Sequence, residues 1–164
     1  MVKAKKEKTI QNLIKETAKD LLSKLSITST LEVVEKKTEE GSDLAGDFLV
    51  NITTEETGLL IGRHGETINS LQLILGVIIY NKTNKWYRIV LDVGDYRKSR
   101  EESIKEMVER IALEVETTSQ SVTLPNFTSY ERRIVHMLLA DNKKVTSESI
   151  GEGRDRRLTI KLRE

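Results

Sequence analysis

Residues 57–75 read TGLLIGRHGETINSLQLIL, and this segment indicates the architecture more strongly than any other part of the chain. Gly62 and Gly65 flank Arg63 and His64 between two apolar stretches, each suited to a helix. Glycine has no Cβ, so the backbone can turn tightly and a ligand backbone can come close. The free N–H groups at the start of the second helix point at the loop, where an anion is favoured. Two interpretations stay open from these four residues: a phosphodiester clamp and a tight corner between helices.

The apolar residues around this loop predict both a groove and a core. Ile61 and Ile68 flank the loop, and we expect them to line a groove for bases. The segment from residue 66 to residue 80 is predicted to be a buried helix. Its core candidates are Ile68, Leu71, Ile74, Leu75 and Ile78.

The elements around the loop follow a recognisable order. Residues 10–25 repeat an apolar helical stripe, a strand begins near Leu31, and residues 48–53 and 86–93 alternate as strands do. The order helix, strand, strand, short helix, GxxG loop, helix, strand resembles the type II KH domain (αββααβ). The resemblance implies that residues 62–65 clamp single-stranded nucleic acid, as the GxxG loop of KH domains does. We expect this domain over residues 10–95, after a basic tail at 1–9.

A second pattern lies near the C-terminus, where Arg132 and His136 are four residues apart on a predicted helix. They share one face of that helix, with Arg133 beside them. The helix should begin with a capping box formed by Thr128 and Glu131. An arginine and a histidine on one face can contact phosphates or a base, whereas a solvated structural face stays open as the alternative.

The sequence around this helix resembles the R-three-H domain, which is named for an arginine and a histidine separated by three residues. The resemblance spans residues 121–164 and implies a small α/β domain that binds single-stranded nucleic acid. The overall expectation is therefore an α+β chain, with a connecting helix at 96–120 between the two domains. Carried over onto this sequence, the implied binding residues are Arg132, Arg133, His136, Ser149, Gly151, Arg154, Arg156 and Arg157.

The order of a KH domain followed by an R-three-H domain resembles the domain order of the Jag, or SpoIIIJ-associated, family. Stretches such as GLLIGRHGETINSLQ and SYERRIVHMLLA carry this likeness. The resemblance implies a bacterial regulator that binds single-stranded RNA, or DNA, and is tied to cell elongation, envelope synthesis or sporulation. It also implies a small KH-domain partner or a homodimer, and contact with a membrane insertase. Many relatives carry a Jag-N domain ahead of the KH domain, which we expect this chain to lack.

Composition narrows the remaining classes of protein. The chain has no cysteine, which excludes disulfides, thiolate nucleophiles and zinc sites built on cysteine. It has only two histidines, His64 and His136, far apart in sequence, so a metal site is not expected. No apolar run approaches the roughly 20 residues that span a bilayer, and we predict a cytoplasmic protein. Residues 57–100 carry seven Lys and Arg against three Asp and Glu, and residues 121–164 carry nine against six. These two basic blocks suit phosphate binding, although solvated faces would explain them equally well.

Two alternatives to nucleic-acid binding stay open from the sequence. The chain could be an interaction adaptor, with the acidic helix at 101–116 as a protein-binding face. It could also be a nuclease that uses His136 and nearby carboxylates. General acid–base chemistry needs several groups converging in one pocket. The sequence shows no second histidine near His136 and no acidic metal-binding cluster, so we expect no enzymatic activity and no cofactor.

Overall fold

A computed structural model describes residues 2–36, 44–124 and 127–163, and within these ranges the side chains of all but residues 2–9 and 154. The chain forms two compact units, Met1–Tyr96 and Arg97–Glu164. Pro125 lies outside the described residues. Part of the turn-rich segment between the first two strands also lies outside them. Within those residues, no helix is both long and apolar enough to cross a membrane.

The first unit has the element order expected of a type II KH domain. Its helices and strands are α1 (Val2–Lys24), β1 (Thr30–Lys36), β2 (Asp47–Thr53), α2 (Thr57–Ile61), α3 (Glu66–Thr83) and β3 (Arg88–Val93). The sheet has the order β1-β2-β3, with β1 antiparallel and β3 parallel to the central strand. The α1 helix begins at Val2, so residues 2–9, predicted to be a basic tail, form its first two turns.

The core of this unit follows the predicted alternation. Phe48, Val50 and Ile52 of β2 are at most 2% exposed, and every second residue of β3 is buried beside them. Helix α3 departs from the prediction at two positions, and one of them, Ile78, is only partly buried although it was expected in the core. Ile74, expected in the core, is 46% exposed, and Leu73 and Val77 are exposed with it. Helix α3 therefore carries an apolar face that the described part of this unit leaves uncovered.

The second unit begins at Arg97, the second residue of α4 (Tyr96–Thr118). Its other elements are β4 (Val122–Leu124), α5 (Ser129–Leu139), β5 (Val145–Ile150) and β6 (Arg157–Leu162). Its antiparallel sheet has the order β4-β6-β5. Residues 97–118, expected to be a connecting helix, contribute Ile104, Val108 and Val115 to the core of this unit. The helix is thus a structural part of the second domain.

The predicted capping box at the start of α5 is confirmed. Thr128 Oγ1 accepts a hydrogen bond from the Glu131 N–H at 3.2 Å, and Glu131 Oε2 accepts one from the Thr128 N–H at 2.7 Å. Glu131 Oε1 also lies 2.7 Å from Arg100 Nε of α4, and both side chains are largely buried. A single carboxylate therefore caps α5 and joins it to α4.

Candidate nucleic-acid interface

The GxxG loop of the KH unit has an unusual backbone. Gly62, His64 and Gly65 have φ values of +69°, +52° and +80°. Gly62 combines its φ with a ψ of −170°, in a region that only glycine enters readily. A Cβ on Gly62 would lie 2.0 Å from Thr67 Oγ1, and one on Gly65 would lie 3.0 Å from the Tyr96 ring. Both glycines are therefore required by backbone conformation and by close packing.

The two polar residues of the loop project outward. Arg63 and His64 are exposed, whereas Gly65 beneath them is buried. Helix α3 begins directly after the loop, and its N-cap, Gly65, has no side chain with which to cap it. The N–H groups of the first turn and the Arg63 charge therefore act on the same exposed corner, which favours an anion there.

The apolar groove predicted beside the loop is only partly present. Ile68 is 1% exposed and belongs to the core, so the expectation that it lines a groove is wrong. Ile68 packs in the same buried cluster as residues of α1, α3 and the sheet. Ile61 is partly buried and keeps some surface beside Gly62.

In the second unit, α5 and the β5–β6 hairpin form a concave surface of about 430 Å³, called here the α5 cavity. Five of the predicted residues meet there although the sequence spreads them over 25 positions. These are Arg132, Arg133, His136, Ser149 and Arg156, and Ser129, Met137 and Ala140 complete the lining. Three arginines at one depression form a strongly cationic site that suits phosphate.

His136 is held at both ring nitrogens. Nδ1 lies 2.8 Å from Ser147 Oγ and Nε2 lies 3.1 Å from Ser149 Oγ, and the tautomer decides which atom donates in each hydrogen bond. Ser147 and Ser149 are alternate residues of β5, so their side chains leave the same face of the strand. The imidazole is thereby fixed in orientation at the cavity wall.

Arg132 is also oriented by its neighbours. Its Nη1 donates to the Phe127 carbonyl at 2.6 Å, and its Nη2 donates to Ser129 Oγ at 3.0 Å. These bonds use two of the five N–H groups of a guanidinium. The arginine therefore stabilises the chain just before α5 while it lines the α5 cavity.

The other residues predicted from the β5–β6 hairpin have different positions. Arg157 is described but does not line the α5 cavity, and its Nη2 lies 3.8 Å from Asp155 Oδ1. Gly151 has a φ of +89°, and a Cβ there would lie 2.9 Å from the Asp155 carbonyl oxygen, so it shapes the turn. The side chain of Arg154 lies outside the described residues.

Sequence reasoning missed Ser129, Ser147 and Met137. Ser147 had an available signal, because it stands two positions before Ser149 on a predicted strand and shares its face. Met137 follows His136 directly, and the sequence did not show that it borders the cavity. Among the described residues, no group of three or more His, Asp and Glu side chains is arranged to hold a metal ion.

Comparison with known families agrees with the two structural units. Residues 11–91 match the KhpA/KhpB KH domain, and residues 102–162 match the R-three-H domain. Each matched range falls within one unit of the structure. The R-three-H match includes most of α4, in agreement with the position of that helix in the second core.

Several curated proteins are similar to this chain, and each carries the name RNA-binding protein KhpB. The one from Clostridium symbiosum is 29% identical over 163 residues, which cover 99% of this chain and 71% of that protein. The one from Lactiplantibacillus plantarum is 38% identical over 127 residues, covering 74% of this chain and 39% of that protein. The one from Bacillus subtilis is 31% identical over 112 residues, covering 67% of this chain and 54% of that protein. The chain thus spans less than two thirds of the last two.

Proposed function

Because this chain is a KhpB-like (Jag-like) protein that joins a KhpA/KhpB-type KH domain to an R-three-H domain, we propose that it binds single-stranded RNA and catalyses no reaction. The proposed contacts are the exposed GxxG loop, through Ile61, Gly62, Arg63, His64 and Gly65, and the α5 cavity. Single-stranded DNA is the competing ligand at both.

The observation that carries this proposal is the convergence on the α5 cavity. Arg132, Arg133, His136, Ser149 and Arg156 come from a helix, a strand and the turn after it, and they meet at one concave surface. The histidine and Arg132 are held in place by hydrogen bonds. Oriented side chains on a surface that carries three arginines suit the phosphates of a nucleic-acid backbone.

The GxxG loop supports the same function independently. Its two exposed polar residues, Arg63 and His64, sit at the N-terminal end of α3, and the flanking glycines leave no side chain to obstruct a close approach. KH domains clamp about four nucleotides at such a loop. Two modest sites on one chain raise the effective concentration of one for the other, so the whole chain should bind more tightly than either unit.

Charge reversal at each site tests the proposal. We expect Arg133→Glu with Arg156→Glu to weaken binding of a fluorescent single-stranded RNA and to flatten the dependence of log K on log salt by about one unit per lost phosphate contact. Arg63→Asp with His64→Asp should do the same at the loop. Arg110→Glu with Lys19→Glu, two exposed changes outside both proposed sites, serves as the control because it alters net charge as much as Arg133→Glu with Arg156→Glu does.

The result that contradicts the proposal is equally specific. If Arg110→Glu with Lys19→Glu lowers affinity and salt slope as much as the variants at the two sites do, the attraction is a property of net charge. Competition with unlabelled DNA of the same sequence measures the preference for RNA, which we expect because the 2′-hydroxyl offers an additional hydrogen-bonding group.

The non-enzymatic part of the proposal has its own assay. We expect an RNA incubated with the protein and Mg²⁺ to be recovered at full length, because His136 is the one histidine among the described residues that line the α5 cavity and serines occupy both of its ring nitrogens. Shortened RNA that disappears with His136→Ala would assign a nuclease activity to the cavity.

We also propose that the KH unit pairs with a second KH domain, either of another copy or of a small partner. The support is the uncovered face of α3, where Leu73, Ile74 and Val77 are 68%, 46% and 42% exposed. Adjacent exposed apolar side chains of this size favour a protein contact. Family resemblance also predicts three properties of this chain. They are contact with a membrane insertase, a cytoplasmic location and a role in bacterial RNA regulation.

Sedimentation at several protein concentrations tests the pairing. Leu73→Asp with Ile74→Asp should abolish self-association, or association with an added KH-domain protein, without unfolding the unit. Leu25→Asp, at a 49% exposed apolar residue after α1, is the matched control. Equal sedimentation of the double variant and the unmodified chain would exclude this face as the contact.

A further inference from the structure

A second depression lies beside the α5 cavity, between α4 and α5. It has a volume of about 380 Å³ and is called here the α4–α5 cavity. Its lining includes Glu101, Lys105, Tyr130, Arg133, Met137 and Leu138. The volume falls within the usual range for small-molecule sites, and none of the sequence motifs accounts for it.

The lining combines an aromatic ring with flexible apolar side chains. Tyr130 is 64% exposed, and Met137 and Leu138 are 61% and 41% exposed. An aromatic ring that stands open to solvent offers a face on which a planar base can stack. Methionine adapts its shape to a neighbouring surface and makes favourable contacts with aromatic rings.

The rim on the α4 side carries a donor and an acceptor. Lys105 Nζ lies 2.8 Å from Glu101 Oε1. The hydrogen bond to Glu101 raises the pKa of Lys105 above its ordinary value, because the carboxylate stabilises the charged ammonium. A planar base that offers both an amino donor and a ring-nitrogen or carbonyl acceptor matches such a pair of charges.

The two cavities are continuous along α5. Arg133 and Met137 line both of them. Tyr130, Arg133 and Met137 follow one another at helical spacings of three and four, so they share one face of the helix. A ligand that enters one cavity therefore passes directly beside the other.

We propose that the α4–α5 cavity receives a nucleobase of the single strand whose phosphate lies in the α5 cavity. The base stacks on Tyr130 with its polar edge toward Glu101 and Lys105, and Arg133 binds the phosphate between the two cavities. This inference rests on the proposed function, and it adds a base-contacting residue to a site otherwise made of phosphate ligands.

The test compares a strand that has bases with one that lacks them. The probes are fluorescein-labelled hexa-adenylate RNA and the same hexamer built from abasic ribose phosphate. The protein is the full chain with Arg63→Asp and His64→Asp, which removes the loop contribution. We expect Tyr130→Ala to weaken hexa-adenylate binding about tenfold, within the range for loss of one stacked base. Binding of the abasic hexamer should stay unchanged.

Two controls complete the design. Tyr130→Phe should retain binding, because the ring face is preserved. Leu113→Ala, at a 66% exposed apolar residue of α4 outside both cavities, should have no effect. Circular dichroism confirms that each variant is folded.

Three outcomes overturn the inference. An equal loss for both hexamers means that Tyr130 acts on the backbone or on the fold. Unchanged hexa-adenylate binding means that no base stacks there. If the parent protein binds neither hexamer, the proposed RNA site at α5 fails with it, whereas the first two outcomes leave that site standing.

Discussion

Replacement of Gly62 by alanine is the sharpest test of the loop structure. Gly62 has φ +69° and ψ −170°, and a Cβ at this position would lie 2.0 Å from Thr67 Oγ1 and 2.7 Å from Thr67 Cβ. The substitution therefore imposes an unfavourable backbone conformation and a steric overlap at the same time.

The two effects can be estimated separately. A non-glycine residue in such a backbone region costs about 1–3 kcal/mol. Forcing an extra carbon into a filled space costs about 1–3 kcal/mol more. We therefore expect Gly62→Ala to lower the free energy of unfolding of the KH unit by roughly 2–6 kcal/mol, a large share of the total for a typical domain. Adding Thr67→Ala should recover part of the overlap and none of the backbone cost.

Urea denaturation followed by tryptophan fluorescence measures this change in the right unit. Trp86 is the single tryptophan, and its ring stacks on Tyr80 at a centroid distance of 4.5 Å within the KH unit. Gly58→Ala is the matched control, because it lies four residues earlier in α2 and its Cβ would meet no atom within 4 Å. If Gly62→Ala and Gly58→Ala shift the transition equally, the close packing described for the loop is incorrect.

Three further changes test other contacts. Glu131→Ala removes the Arg100 ion pair and the cap of α5 together, and thermal denaturation by circular dichroism should show a loss of about 3 kcal/mol in the second unit. Ser147→Ala removes the partner of His136 Nδ1, and fluorescence anisotropy should show RNA affinity lower by between about twofold and tenfold. Gly76 lies in the interior of α3, and a Cβ there would meet open space. Gly76→Ala should therefore raise the free energy of unfolding of the KH unit by about 1 kcal/mol, which a higher midpoint of urea denaturation would show. Stabilisation by Glu131→Ala, unchanged affinity for Ser147→Ala or a lower midpoint for Gly76→Ala would contradict these expectations.

Much of the fold was predictable because local patterns and the tertiary structure agree. The alternation of Phe48, Val50 and Ile52 fixed one face of β2, and Thr128 with Glu131 marked the start of α5. The prediction for Ile74 was wrong for a physical reason. Helix α3 is apolar on several sides, so its periodicity does not distinguish the face toward the core from a face left for a partner.

The candidate site was predictable where it depends on one helix, and less so where it depends on contacts between elements. The spacing of Arg132 and His136 placed both on one face of α5, and both line the same cavity. Arg156 and Arg157 are neighbours in sequence, yet of the two only Arg156 lines that cavity, whereas Arg157 is the first residue of β6. The local pattern places Ser147 and Ser149 on one face of β5, but it does not encode how β5 packs against α5, and the hydrogen bonds of the serines to His136 depend on that packing.

The left-handed backbone of the GxxG loop has a consequence for the kinetics of recognition. Gly62, His64 and Gly65 all hold positive φ through bonds and packing internal to the KH unit. The entropy of shaping the loop is therefore spent when the domain folds and does not recur at each encounter with a strand. Association should then be governed by diffusion and electrostatic steering, and differences in affinity among RNA sequences should appear mainly in their dissociation rates.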